Sequence, residues 1–255
     1  MTLLHSIIFG IVEGVTEFLP ISSTAHLILT ADLLKLPQSK FQVTFEIVIQ
    51  LGAILAVVVL YWKTLFQNIE ALKRVIVAFI PTAIIGFLLH KAVKSFFENE
   101  QMILGALFIG GLILIAFEMF HKEKSSATAT MESISYPQAV LIGCAQSLAI
   151  VPGVSRSAAT ILGGMSLGIS RKTIVDFSFL LAVPTMLAAS VLDLLKSGSS
   201  FSSSEYGMLA VGFVVSFLVA IVAIKWLLKY IQKHTFIVFG VYRVMVAAVF
   251  WMIIG

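Results

Sequence analysis

A chain of 255 residues that is 59% hydrophobic and only 12% charged is too apolar for a soluble enzyme. Its 17 basic and 13 acidic residues leave a net charge of +4, spread too thinly for a nucleic-acid binder, and the lone Cys144 excludes a disulfide-stapled secreted fold. An all-α polytopic membrane protein remains.

The first apolar stretch covers residues 3–31. It has no basic region before it and carries Glu13 and Glu17, so it does not read as a signal peptide. It is broken at Leu19-Pro20-Ile21-Ser22-Ser23-Thr24. Proline removes a backbone donor and clashes with the preceding turn. The stretch therefore predicts two short helices around a polar turn. Irregular backbone at membrane depth is tolerated only where protein or a wet cavity surrounds it, which makes this a re-entrant hairpin.

Three spans follow, near 43–62, 75–93 and 101–120. Each approaches the roughly 20 apolar residues that a bilayer core of about 30 Å requires. Residues 121–136 are a linker by composition. A second broken stretch, 137–168, is interrupted at Val151-Pro152-Gly153-Val154-Ser155-Arg156-Ser157, and predicts a second re-entrant hairpin. Three more spans are expected near 173–194, 207–228 and 236–254.

The two halves, 1–120 and 137–255, thus share one plan within a single membrane domain. A shift of 132 residues superposes Pro20 on Pro152, Ser23 on Ser155 and Phe45 on Phe177. Three crossings per half is an odd number, so the second half is expected to be inverted. Two inverted-topology repeats are the architecture of many transporters, with a site near the midplane. Ten basic residues fall on one side of this arrangement and five on the other, which puts the first side in the cytoplasm. Both termini and the mouth of the first hairpin then face outward. Only Arg156 and Arg243 are left within the membrane among the basic residues.

Ionisable residues within a membrane point to function by default. Glu13 and Glu17, four residues apart, share one helix face, and two such carboxylates repel unless a cation or a proton separates them. A hard divalent cation bridged to phosphate oxygens satisfies both; a cap of Arg156 or backbone donors also satisfies them without metal. Ser22, Ser23 and Thr24 precede His26, and a hydroxyl beside an imidazole is a minimal nucleophile–base pair. His26 itself is an alternative nucleophile. The same hydroxyls also suit a helix cap, whose free N–H groups form an anion site. Arg156, flanked by Gly153, Ser155, Ser157 and Thr160, offers a bidentate donor to phosphate.

Glu46, Gln50 and Asp176 either line the cavity or sit at the interface. Arg243 reads as a structural partner rather than a ligand. His5, His90, His121 and His234 read as interfacial, and Cys144 as helix packing.

The segment Glu13-Gly-Val-Thr-Glu17-Phe-Leu-Pro-Ile-Ser22-Ser23-Thr24-Ala-His26 resembles the first signature of the bacitracin-resistance family of undecaprenyl-diphosphatases. Pro152-Gly-Val-Ser155-Arg156-Ser157-Ala-Ala-Thr160 resembles its second. Phe45-Glu46-Ile-Val-Ile-Gln50-Leu-Gly and Phe177-Ser-Phe-Leu-Leu-Ala-Val-Pro184 are also similar to family segments. The resemblance implies a phosphatase of the bacterial cytoplasmic membrane with its active site opening outward. Such an enzyme removes the terminal phosphate of undecaprenyl diphosphate, recycles the carrier lipid of peptidoglycan synthesis and confers bacitracin resistance.

The resemblance further implies a divalent cation, Mg2+ or Ca2+, on Glu13 and Glu17, and often a homodimer in membrane lipid. It implies attack or proton transfer by Ser23 and His26. Diphosphate binding falls to Arg156, Gly153, Ser155, Ser157 and Thr160, with Ser22 and Thr24 beside them. Ala25 and Ala158 stand where the family pattern leads us to expect glycine, which implies slightly stiffer turns. The rival expectation is a flippase for polyprenyl phosphate on the same anion site.

Overall fold

A computed structural model of the chain describes residues 1–37, 39–97, 99–123, 127–197 and 202–254. Eleven α-helices fill it, and among the described residues there is no β-strand beyond one isolated bridge. The first hairpin is α1 (Leu3–Thr16) and α2 (Ser23–Leu33). The long helices α3 (Lys40–Leu60), α5 (Ile69–Phe97) and α6 (Glu100–Phe120) follow, with a short α4 (Trp62–Gln67) that the sequence pattern did not separate. The second hairpin is α7 (Tyr136–Ser147) and α8 (Arg156–Ser166). The long helices α9 (Arg171–Ser197) and α10 (Ser203–Tyr230) and the shorter α11 (Ile237–Ile254) complete the chain.

Polar side chains set the helix starts. The hydroxyls of Thr2, Ser39 and Ser155 accept backbone N–H groups at the heads of α1, α3 and α8. Ser135 with Gln138 and Ser202 with Glu205 form reciprocal capping boxes for α7 and α10. Both broken stretches are interrupted where proline and the small polar residues were expected to interrupt them.

Among the described residues five helices are long and apolar enough to cross a membrane: α3, α5, α6, α9 and α10. The expected sixth span, α11, is an equally apolar helix of 18 residues, or about 27 Å at 1.5 Å per residue. The protein is an all-α, multi-pass membrane protein.

The helices pack reciprocally. α1, the first arm of the first hairpin, lies on α10 in the second half, and α7, the first arm of the second hairpin, lies on α5 in the first half. α3 packs on α9, and α6 on α11. The first two contacts are equivalent to each other under the shared order of elements, and the last two join helices of the same rank in the two halves. The α1–α10 contact is tight: a β-carbon on Gly14 would lie 2.7 Å from the Ser216 carbonyl, so only glycine admits this approach. It is this approach that carries Glu13 and Glu17 inward.

The 121–136 segment is less of a linker than its composition suggests. Thr128 forms a parallel bridge with Ile169, Met131–Ser133 is a single 3-10 turn, and Ile134 is fully buried. Arg74 of α5 donates to the Ile134 carbonyl at 2.7 Å, and Asn68 bonds Glu132. Half of this segment is therefore built into the fold.

Candidate active site

The turns of the two hairpins touch. Ser157 Oγ donates to the Phe18 carbonyl at 2.9 Å, and Arg156 Nη2 reaches Glu17 Oε1 at 3.2 Å. The Arg156 guanidinium also donates to the Ser178 carbonyl at 2.9 Å and lies over the Phe18 ring at 5.9 Å. Glu17 is 6% exposed and uses its other oxygen, Oε2, to accept Ser23 Oγ at 2.5 Å. A charge-assisted contact of that length is strong. One buried carboxylate thus connects a guanidinium from the second hairpin to a hydroxyl from the first.

Glu13 sits one helical turn earlier and is completely buried, and neither of its carboxylate oxygens has a hydrogen-bond partner among the described residues. Its charged neighbours are Glu17, Glu46 and Arg156. A buried, unpartnered carboxylate is costly unless a cation or a proton accompanies it. The pair Glu13 and Glu17 therefore has the donor chemistry of a hard-cation site. Among the described residues no three His, Cys, Asp or Glu side chains converge as a complete protein ligand set.

His26 lies at the first turn of α2, but its imidazole is bonded elsewhere than to Ser23. Nδ1 bonds the Ser22 carbonyl at 2.7 Å, and Nε2 bonds the Tyr242 hydroxyl at 2.9 Å. The two rings stack at 5.5 Å with an interplanar angle of 6°. A carbonyl can only accept, so Nδ1 carries a hydrogen, and in the neutral ring Nε2 accepts from Tyr242. The group beside the Ser23 hydroxyl is the Glu17 carboxylate, and the imidazole that lies near it in sequence is held by Ser22 and Tyr242.

The other expected residues divide. Ser22 is buried at φ +72°, an unusual conformation for a non-glycine residue, and its carbonyl is the one that His26 holds. Thr24 is half-buried beside it. Ser155 caps α8, accepting from Ala158 N at 3.2 Å, and Thr160 Oγ1 donates back to the Arg156 carbonyl at 2.9 Å. Gly153 takes φ +91° in the second turn. The hydroxyls of Ser155, Ser157 and Thr160 are thus engaged in building the turn that presents Arg156. Ala25 and Ala158 lie inside α2 and α8 with ordinary helical backbone, so the stiffening expected of alanine in a turn does not arise.

Several residues acquire a place that the sequence left open. Glu46 of α3 approaches Glu13 and accepts Gln42 Nε2 at 2.8 Å. Asp176 instead bonds Tyr61, away from this cluster. Arg243, expected to be a structural partner, bonds backbone carbonyls alone among the described residues. Cys144 is exposed on the surface of α7 rather than packed between helices. His121 stacks on Phe117 and His234 on Tyr230, in keeping with interfacial positions. His90 lies outside the residues whose side chains are described. Tyr242 was missed, because nothing in an apolar segment marks one tyrosine as facing a histidine 216 residues away.

Over residues 6–249 the chain matches the protein family described as Bacitracin resistance protein BacA. It is 52% identical over 252 residues to an undecaprenyl-diphosphatase of Sulfurihydrogenibium sp. (strain YO3AOP1), covering 99% of both chains. It is 48% identical to an undecaprenyl-diphosphatase of Aquifex aeolicus (strain VF5), over 98% of each chain. A third relative of that name, from Methanococcus aeolicus, is 44% identical over 99% of this chain and 98% of its own.

Proposed function

Since the chain belongs to the bacitracin resistance protein BacA family, we propose that the contact between its two turns is the reaction centre of an undecaprenyl-diphosphatase. The overall activity is hydrolysis of undecaprenyl diphosphate to undecaprenyl phosphate and inorganic phosphate. The observation that carries the site assignment is the bridge Ser23–Glu17–Arg156, which joins a hydroxyl, a base and a guanidinium on one buried carboxylate.

The proposed chemistry follows from those contacts. The terminal phosphate of the substrate competes with Glu17 for the Arg156 guanidinium, which matches phosphate oxygens bidentately. Glu17, released from that ion pair, takes the Ser23 proton as Ser23 Oγ forms a bond to the terminal phosphorus. The bond from that phosphorus to the bridging oxygen breaks, and undecaprenyl phosphate leaves. Water then hydrolyses the phosphoserine, Oγ regains its proton, and inorganic phosphate departs. Such catalysis is mostly positioning and charge stabilisation. His26, held by Ser22 and Tyr242 at the first turn of α2, orders the backbone from which Ser23 projects.

A divalent cation, Mg2+ or Ca2+, fits this reading, because Glu13 offers two buried oxygens without partners and Glu17 lies on the same helix face. Glu13 and Glu17 would hold it, and it would supply neutralisation of phosphoryl oxygen charge. Only part of its donor set comes from the chain, which suits an ion completed by substrate oxygens and water.

The excess of basic residues on the 121–136 side supports a topology with that side in the cytoplasm, two inverted repeats and a site opening to the outer face of the cytoplasmic membrane. Assembly as a homodimer in membrane lipid is supported by the family resemblance alone. The test of the activity is phosphate release from undecaprenyl diphosphate by the detergent-purified chain. Wild type releases phosphate, and Glu13→Gln and Arg156→Ala each nearly abolish it. Undiminished turnover in either variant removes that residue from the site.

A further inference from the structure

Arg243 of α11 is the largest fully buried side chain among the described residues, at 1% exposure. Among the described residues its guanidinium makes four hydrogen bonds, all to backbone carbonyls. Nη1 donates to Pro20 in the first turn at 3.3 Å, and Nη2 to Gly153 in the second at 3.1 Å. Nη2 also donates to Ala106 at 3.2 Å, and Nε to Leu107 at 3.2 Å, both on α6. Among the described residues no carboxylate lies within ion-pair distance of it. Pro20 stands three residues before Ser23 and Gly153 three before Arg156, so one rigid planar group grips both turns close to the residues they present.

The chain makes room for this group deliberately. A β-carbon on Gly110 of α6 would lie 2.1 Å from Arg243 Nη2, so the guanidinium occupies the space that any other residue there would fill. The neighbour Tyr242 bonds His26 from the same turn of α11. A buried charge satisfied by neutral dipoles alone is an expensive way to join two loops, and a geometric reason for it is the fixed fork of the guanidinium.

We propose that Arg243 is a positioning residue of the phosphatase: it holds the two turns at one separation, so that Ser23, Glu17 and Arg156 meet in reactive geometry. This rests on the phosphatase reading above. It acts through the turns and touches no reacting atom. Misplacement of about 1 Å at a reacting centre costs roughly 10²-fold in rate.

The test compares Arg243→Lys, Gly110→Ala and Gly105→Ala with wild type in detergent, measuring kcat, KM and thermal unfolding. Lysine keeps the charge but not the fork. Gly110→Ala keeps the arginine and pushes it from its slot. Gly105, on the same helix, has open space around its β-position and is the control. The expected result is a fall in kcat of roughly 10²-fold in Arg243→Lys and Gly110→Ala, with KM changed less than about threefold, at temperatures where both are folded. Gly105→Ala keeps wild-type kcat.

Wild-type kcat in folded Arg243→Lys or in folded Gly110→Ala overturns the proposal. So does a change in KM alone, which would mark Arg243 as a source of attraction for the anion rather than a clamp. If neither variant yields folded protein, Arg243 determines the fold and not the site geometry, and the proposal falls. Absence of phosphate release from the wild type would instead refute the phosphatase reading, which separates the two failures.

Discussion

Ser157 donates its hydroxyl to the backbone carbonyl of Phe18, 139 residues away, at 2.9 Å, with Ser157 fully buried. This bond and the Arg156–Glu17 pair beside it run from the second turn to the first. The family resemblance assigned Ser157 to the diphosphate, but its hydrogen is committed to joining the turns. Ser157→Ala leaves the Phe18 carbonyl short of a donor in a buried place, at a cost of about 1–3 kcal/mol. The expected outcome is a lowered unfolding temperature with a loss of kcat that exceeds any change in KM. A variant of wild-type stability with only a raised KM would return Ser157 to substrate binding.

Glu13 and Glu17 are expected to respond in opposite ways to loss of charge. Glu17 is paired, so Glu17→Gln strands the Arg156 guanidinium, and breaking a buried pair costs about 3–5 kcal/mol. Glu13 has no partner for either oxygen, so in chelator Glu13→Gln is at least as stable as wild type while releasing no phosphate. A divalent cation at 100 times its dissociation constant stabilises wild type by about 2.7 kcal/mol, and Glu13→Gln abolishes that increment. Thermal unfolding with and without magnesium checks both statements. An equal cation-dependent rise in the variant would exclude Glu13 as a ligand.

Much of this arrangement was legible in the sequence, and the reasons are local. Pro20 and Pro152 stand among small polar residues, a combination that breaks a helix where Pro81 and Pro184 in apolar surroundings do not, so both hairpins could be placed from the chain alone, and charge in so apolar a sequence singles out Glu13, Glu17, His26 and Arg156. What was illegible depends on rotamers and on packing between distant segments. Spacing suggested Ser23 with His26, whereas the hydroxyl turns to Glu17 and the imidazole to Tyr242 on α11. The hydroxyls of Ser155 and Thr160 were read as phosphate donors; Thr160 gives its proton to the Arg156 carbonyl, whereas Ser155 accepts from Ala158 and leaves its own proton out of that bond. Likewise, Glu46 joins the cluster only because α3 lies against α1.

Tyr242 provides the sharpest check on the role of the imidazole. Tyr242→Phe removes the hydroxyl that bonds His26 Nε2 while leaving the stacked ring in place. One hydrogen bond contributes about 0.5–1.5 kcal/mol, so stability is expected to fall by no more than that and turnover by no more than roughly tenfold. A fall of roughly 10²-fold or more, the scale of general acid–base catalysis, would make the tyrosine hydroxyl a participant in proton transfer. An unaltered rate would show that the Ser22 carbonyl alone orients the ring.

The 121–136 segment offers a test of how far composition misleads. HKEKSSATATMESISY has the polarity of a loose tether, and Lys and Ser dominate its first half. Yet Ile134 is completely buried in the main core, beneath the carbonyl that Arg74 holds. One apolar side chain in the right register anchors what charge and serine leave mobile in other sequences. Ile134→Ala in such surroundings is expected to cost about 2–5 kcal/mol, the range for truncating a buried isoleucine. An exposed substitution in the same segment, Glu132→Gln, is expected to cost less than about 1 kcal/mol, since its bonds to Asn68 are made at the surface. Thermal unfolding of the two variants in the same detergent distinguishes a built-in segment from a tether: equal, small losses would restore the tether, and a large loss confined to Ile134→Ala shows that the join between the halves is itself part of the core.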